Sequence, residues 1–413
     1  MGDKLRVVVT GIGLRTPIGN TVKNVADALK TGRSGIRYMP DWEHIERMRT
    51  KVAGVCDIEG KEASIPRHFR RSMGRVAILA ALATMDAVKD SGIGEYEIAS
   101  PACGVSFGST AGSTSEQVVQ MGRILQNQSL AGFPSSSYLK CMSHTCASNL
   151  ATMFHCRGPF IASCTACVSG SQGIGFGYEA ISRGKAHIMI AGGAEEMYFM
   201  HGAIFDVLMA TSSNFNGRPQ ETPRPFDVAR DGLVVSEGAG CLILEEYQHA
   251  RKRSANIYAE ILGYWTNSSG MHLTDSDPES LEECMRAALK DAGVRAEDVE
   301  HVCAHATATK GGDKAEAIAT QRVYGSKTPV TALKGNTGHT LGASGAIEAI
   351  CAILMGREGF MSHTLNLVEP DPDFPSLYHI MKEPLDKGFS LGVNNNFAFG
   401  GVNTSLVIKN FLP

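Results

Sequence analysis

Apolar residues gather along this chain in short, separate runs. Arg6 to Thr10, Gly104 to Phe107, His187 to Ala191 and Leu242 to Leu244 read as buried strands, and so do Ile257 to Leu262, Val299 to Ala304, Leu391 to Asn395 and Leu406 to Ile408. Longer segments of helical character lie between them. Two of these close alike: Ala87-Val88-Lys89-Asp90-Ser91-Gly92-Ile93 and Ala288-Leu289-Lys290-Asp291-Ala292-Gly293-Val294, each with a glycine helix stop. The surroundings repeat in the same order. A strand-like run opens each half and another follows the repeated helix; then comes a helix of small residues whose start carries a reactive side chain, around Cys167 and then around His339.

Strands alternating with helices predict an α/β architecture, and a repeated set predicts two similar halves packed together. The charged stretch Arg251-Lys252-Arg253-Ser254 is the natural junction, dividing the chain into 1–253 and 254–413. The longest irregular segment, Thr211 to Gly232, is polar and broken by Pro219, Pro223 and Pro225, which reads as a functional loop.

Composition narrows the possibilities. With 413 residues, 43% of them hydrophobic, the chain can bury a substantial core without staples. A formal net charge of -3 argues against a nucleic-acid binder. Eleven cysteines are an odd number, scattered and without a preceding signal peptide, so they read as reduced thiols. Met1-Gly2-Asp3-Lys4 leads straight into a short apolar run, Arg6 stands where a myristoylation motif needs Ser or Thr, and no apolar run reaches the roughly 20 residues of a membrane span. A cytoplasmic protein without membrane or nucleic-acid partners is expected.

Cys167 lies in Ser163-Cys164-Thr165-Ala166-Cys167-Val168-Ser169-Gly170, between an apolar run and a glycine-rich helix. A strand-to-helix turn there would put its sulfur at a helix N-terminus, where the dipole and free N–H groups favour thiolate. A buried structural cysteine, or a C-x-x-C pair with Cys164, fits the local sequence as well. His305 follows the strand Val299 to Ala304, and His339 sits in Lys334-Gly335-Asn336-Thr337-Gly338-His339. Ligands of α/β sheets gather at carboxyl ends of strands, so these groups could share one cleft; either histidine could equally be a hydrogen-bonded core residue. Lys334, between an apolar run and a Gly-Asn turn, is expected to be buried and paired with an acid. The loop Asn394 to Asn403 is rich in glycine, which lets backbone N–H groups approach a ligand.

Eight segments in order resemble the elongating β-ketoacyl-acyl-carrier-protein synthases, types I and II, of the thiolase-like superfamily. They are Val9-Thr10-Gly11, Thr165-Ala166-Cys167, Ala191 to Glu195, Arg224-Pro225-Phe226-Asp227, Arg230-Asp231-Gly232, Gly311 to Glu316, Thr337-Gly338-His339 and Phe399-Gly400-Gly401. The resemblance implies the thiolase-like fold, two duplicated halves in α-β-α-β-α layers. It implies an acyltransferase that condenses an acyl thioester on Cys167 with malonyl-acyl-carrier protein in fatty-acid or polyketide elongation. It also implies a catalytic set of Cys167, His305, His339 and Lys334, with Lys334 paired to Glu316. Backbone N–H groups of Cys167 and Phe399 would form the oxyanion hole, Phe399 would gate the acyl pocket, and Thr307 and Thr309 would line the pantetheine channel. Thr110 matches a position near the end of the family's acyl pocket.

No cofactor of the enzyme's own is implied, since substrates arrive on the phosphopantetheine of an acyl carrier protein. That carrier and a second copy of the chain, forming a homodimer, are the implied partners. The carrier would dock on the basic cluster Pro66-Arg67-His68-Phe69-Arg70-Arg71 with Arg75, where Arg67 and Arg71 match the family's docking positions. Two departures stand out: Ala306 and Ala398 replace glycines usual in the family, which removes backbone freedom from two site loops. A non-catalytic chain-length partner is a rival reading, although such partners lack the nucleophile. A biosynthetic thiolase is another, and it would use a second cysteine as base where His339 stands.

Overall fold

The strands are β1 (Val7–Arg15), β2 (Ile36–Tyr38), β3 (Val52–Gly54), β4 (Cys103–Gly108), β5 (Phe160–Ile161), β6 (Ile188–Glu195), β7 (Gly238–Glu246), β8 (Ala259–Ser268), β9 (His301–Ala304), β10 (Pro329–Ala332), β11 (Tyr378–His379), β12 (Leu391–Phe397) and β13 (Val402–Asn410), of which β1, β4, β6, β7, β8, β9, β12 and β13 grow from the eight apolar runs. The computed structural model describes residues 4–271 and 273–411. Met1, Gly2 and Asp3, which enter the reading of the N-terminus, lie outside the described residues.

One half orders its strands β5-β4-β6-β7-β1 and the other β10-β9-β12-β13-β8, with β11 beyond β10. The hydrogen-bonding pattern is the same in both: the first three strands run parallel and the last two pair antiparallel. β1 and β8 join the halves edge to edge, Val7 opposite Ile261, while β2 and β3 form a separate hairpin. The duplication read in the sequence is therefore a duplication of strand order.

Three apolar layers hold these sheets. The helix Arg75–Ser91 covers the outer face of the first half through Leu79, Ala83 and Ala87. Helices Pro278–Ala292 and Lys310–Tyr324 cover the outer face of the second. Helices Ser169–Ser182 and Ser344–Glu358 lie between the sheets, the latter buried along nearly its whole length. An all-round buried helix needs apolar residues on every side, which Ala346 to Met355 supply apart from Glu348.

The repeated helices both end at glycine in the left-handed region, Gly92 at φ 64 and Gly293 at φ 67, as the sequence predicts. Each also spends its aspartate alike: Asp90 accepts from the backbone N–H of Ile12 in β1 at 2.9 Å, and Asp291 from that of Tyr264 in β8 at 3.2 Å.

The basic segment Pro66 to Arg75 divides. Arg67–Arg70 forms a short helix and Arg75 begins the next one. Arg75 does not contribute a free charge to the cluster, because Glu237 takes it in a bidentate pair at 2.5 and 2.7 Å. An acid facing that helix start offsets the unfavourable placement of a cation there. Arg67 and Arg71 stay exposed.

Candidate active site

Two helix starts meet at the centre of the molecule. A Cβ on Gly170 would lie 2.8 Å from the carbonyl oxygen of Gly342, and one on Gly345 would lie 2.6 Å from Cβ of Ser171. The missing side chains let the helices Ser169–Ser182 and Ser344–Glu358 approach closely enough for the turns preceding them to touch. Cys167 occupies the first turn, Ala166–Val168, with Ala166 at φ 51. His339 precedes the second, Leu341–Ala343. Its Nε2 lies 2.9 Å from Cys167 Sγ.

His339 does not sit directly at a strand end, since the short helix Lys334–Thr337 comes between it and β10. Its backbone is clamped by the segment after the long loop: its N–H donates to Val234 at 2.7 Å and its carbonyl accepts from Ser236 at 2.9 Å. The proline-broken loop thus ends as a support for the site, and its Asp231, Gly232 and Leu233 line the cleft.

His305 follows β9, as expected, with its ring at 85° to that of His339 and the centroids 5.2 Å apart. Nδ1 of His305 is 3.2 Å from Lys334 Nζ, which also donates to the His305 carbonyl oxygen. Lys334 is fully buried, as the sequence predicts, but its partner is not Glu316. The ammonium pairs with Glu348 at 2.5 Å, and the other Glu348 oxygen accepts from Asn396 at 2.6 Å. Glu316 instead accepts from the backbone N–H groups of His305 and Ala306, at 2.7 and 2.6 Å, and so holds the loop that carries the histidine. Glu348 and Asn396 escaped the sequence reading. A lone acid in the apolar run Ala346 to Met355 was the available signal, because a buried charge requires a partner.

Burial dominates the electrostatics. It holds both His305 and His339 well below the ordinary histidine range, with the Lys334 charge acting in the same direction, so both rings are neutral at physiological pH. It pushes Glu316 up to about 8. It also pushes the Cys167 thiol up to about 12, against the pull of Lys334 and of its own backbone environment. The helix-start argument for a standing thiolate fails here, because desolvation of the anion outweighs the partial charge of the turn.

Cys167, His305 and His339 bring their Sγ and ring nitrogens within 4.8 Å of one another. Such a set could face a metal ion, but the Lys334 ammonium against His305 opposes a second cation and already occupies Nδ1. Above the three residues opens a cleft of about 400 Å³, lined by Thr307, Thr309, Phe399, Phe205 and Met209 among others. The Thr307 and Thr309 hydroxyls are 3.0 Å apart. Phe399, at the turn between β12 and β13, is half-buried and 5.9 Å from the Phe205 ring. Neither Ala306 nor Ala398 has a positive φ, so alanine sits at both departures without backbone strain in this conformation; Gly400 and Gly401, at φ 93 and 73, make the turn. Cys164 makes no C-x-x-C bond: all eleven cysteines are free thiols, and its Sγ donates to the Thr110 carbonyl at 2.9 Å. Arg67 and Arg71 are not among the residues lining the cleft.

Residues 4–250 match the family "Beta-ketoacyl synthase, N-terminal domain" and residues 258–368 match "Beta-ketoacyl synthase, C-terminal domain". The chain is 32% identical over 407 residues to the 3-oxoacyl-[acyl-carrier-protein] synthase 1 of Haemophilus influenzae, covering 98% of this chain and 99% of that one. A crystal structure of a β-ketoacyl synthase from Burkholderia phymatum superposes with a TM-score of 0.95 at 43% identity, covering 98% of this chain and 100% of that one. A type II polyketide ketosynthase solved in complex with its acyl carrier protein superposes with a TM-score of 0.89 at 28% identity, covering 99% of this chain and 100% of that one. The layered, duplicated α/β architecture is thus the thiolase-like one, and the chain belongs to the β-ketoacyl synthase family.

Proposed function

We propose that the chain is a 3-oxoacyl-acyl-carrier-protein synthase acting in fatty-acid or polyketide chain elongation. The observation that carries this reading is the convergence of Cys167, His305 and His339 at the floor of one cleft, over a fully buried Lys334–Glu348 pair. In the first step the Cys167 sulfur forms a thioester with the acyl group, the acyl bond to the carrier's pantetheine sulfur breaks, and the thiol proton ends on that sulfur. In the second, the bond from malonyl carbon to CO₂ breaks and its electrons form an enolate. The enolate carbon attacks the acyl carbonyl, the bond from that carbon to Cys167 sulfur breaks, and the sulfur takes up a proton from solvent to replace the one that left with the carrier.

His305 and His339, neutral and donating N–H, stabilise the enolate oxygen. Since the Lys334 ammonium can only donate, Nδ1 of His305 must accept, and its proton is left on Nε2. The N–H groups of Cys167 and Phe399 form the oxyanion hole for the tetrahedral intermediate. Thr307 and Thr309 line the pantetheine path, and Phe399 gates the acyl pocket. No resident cofactor enters these steps, because the pantetheine arrives with the substrate.

Exposed Arg67 and Arg71 offer an acidic carrier protein an electrostatic landing site. The exposed apolar side chains Val119, Met121, Leu125, Leu130, Tyr138 and Leu139, concentrated in one stretch of chain, and the open sheet edge at β5 support a homodimer. Sedimentation should show a dimer; a fully active monomer would count against it. Among the described residues no helix is long and apolar enough to cross a membrane, and the eleven free thiols fit the reducing cytoplasm.

Measuring CO₂ release from malonyl-carrier beside cleavage of acetoacetyl-CoA tests the reaction. Decarboxylation with mass-labelled acyl-Cys167 is expected; acetoacetyl-CoA cleavage without decarboxylation would make the protein a thiolase, and absence of both would leave a chain-length partner.

A further inference from the structure

Lys334 and Ser344 stand in the same relation to the two histidines. Each meets Nδ1 of its ring, Lys334 Nζ at 3.2 Å from His305 and Ser344 Oγ at 3.0 Å from His339. The ammonium leaves no choice of direction, but a hydroxyl can donate or accept. The direction at His339 must therefore come from the rest of its chain of contacts. That chain runs from Thr340 Oγ1 to Ser344 Oγ at 3.1 Å, on to Nδ1 of His339, and from Nε2 to Cys167 Sγ at 2.9 Å.

Thr340 and Ser344 are each 1% exposed, and among the described residues the Thr340 hydroxyl meets only Ser344. If His339 donated from Nδ1, the two hydroxyls would have only the bond between them to use, and either the Thr340 or the Ser344 proton would be stranded in the interior. A buried hydroxyl left without an acceptor bears its full desolvation penalty. If Thr340 donates to Ser344 and Ser344 donates to Nδ1, both hydroxyl protons are used. The only donor then displaced is the Cys167 thiol, which is a weak one.

We propose that Ser344, oriented by Thr340, is a positioning residue that holds His339 in the Nε2–H tautomer. It does for His339 what Lys334 does for His305. Both rings then aim an N–H at the space beside Cys167 Sγ, where acyl oxygen and enolate develop charge. No proton is transferred along the chain; the hydroxyls only set which ring nitrogen carries it. The consequence for catalysis rests on the condensing role proposed above, whereas the tautomer itself does not.

The test uses full-length protein labelled with ¹⁵N-histidine, the His339 signals being assigned by their loss in His339→Gln. Wild type should show a protonated Nε2 and an unprotonated Nδ1. Ser344→Ala and Thr340→Val should each produce a mixture of tautomers. Malonyl-carrier decarboxylation should fall about tenfold, less than the hundredfold or more for loss of a donor, while acylation of Cys167 changes little. Ser344→Thr, which keeps the hydroxyl, should recover both. A wild-type His339 protonated on Nδ1, or a tautomer unmoved by both substitutions, overturns the proposal. A tautomer that shifts while decarboxylation holds would leave the proposal standing and remove His339 from the condensing role.

Discussion

In the first half of the molecule the turn before the central helix runs Ala166-Cys167-Val168 into Ser169-Gly170; in the second it runs Leu341-Gly342-Ala343 into Ser344-Gly345. Ala166 and Leu341 have nearly the same left-handed φ, 51 and 48. Counting from these residues, Ser169 corresponds to Ser344, Cys164 to His339, and Cys167 to Gly342. Ser169 serves only its own turn, its hydroxyl accepting from Thr165 N at 2.9 Å and donating to the Ala166 carbonyl at 2.8 Å. Ser344 faces His339 instead. At Gly342 a Cβ would lie 2.7 Å from Thr110 N and 2.9 Å from Glu195 Oε2, so the second half has no room for a side chain where the first has its thiol. One backbone plan thus supplies two different parts, and packing at single positions decides which part each half contributes.

The largest test of that asymmetry is the nucleophile. Cys167→Ala should abolish condensation and acyl-enzyme formation by mass spectrometry, while Cys164→Ala, three residues away, should keep most turnover. Acylation at Cys164 would shift the site and break the comparison.

The histidines come next. Alanine at His305 or His339 should cut decarboxylation of malonyl-carrier on the order of a hundredfold or more and affect loading far less, because loading needs the sulfur and not the enolate donors. A His339→Ala enzyme that fails to acylate yet decarboxylates normally would reverse its assigned role.

The buried pair beneath them can be tested by stability. Glu348→Gln leaves the Lys334 charge without a counter-ion in the interior, and denaturant unfolding should show a loss on the order of 3 kcal/mol. Gly345→Ala pushes a methyl group to within 2.7 Å of Ser171 N and Asn396 Oδ1, so it should cost about 1–3 kcal/mol and slow turnover by spreading the two helix starts. An unchanged Gly345→Ala protein would mean that the close approach does not set the Cys167 to His339 distance.

The smallest effect is expected at the surface. Arg67→Glu with Arg71→Glu should raise the apparent KM for carrier-bound substrate severalfold, lose influence as salt is added, and spare turnover of small pantetheine thioesters. Equal loss with both substrate forms would mean that these residues support the fold.

The sequence by itself determined the repeated succession of strands and helices in the two halves and the glycine stops at Gly92 and Gly293, and it offered Cys167, His305 and His339 as candidates that the family resemblance singled out. These follow from patterns a few residues long, where periodicity, turn chemistry and motif spacing leave little choice. It also required Lys334 to have an acidic partner, without saying which. Tertiary structure chose Glu348 over Glu316, assigned Arg75 to Glu237, and set Ser344 against His339. It also decided that Cys167 rests as a thiol near 12, although its place before a helix suggests an anion. Each of these outcomes depends on distances between segments remote in the chain and on how completely they exclude water. Coulomb attraction and desolvation act through space, so a pattern read along the backbone can name the charges but cannot pair them.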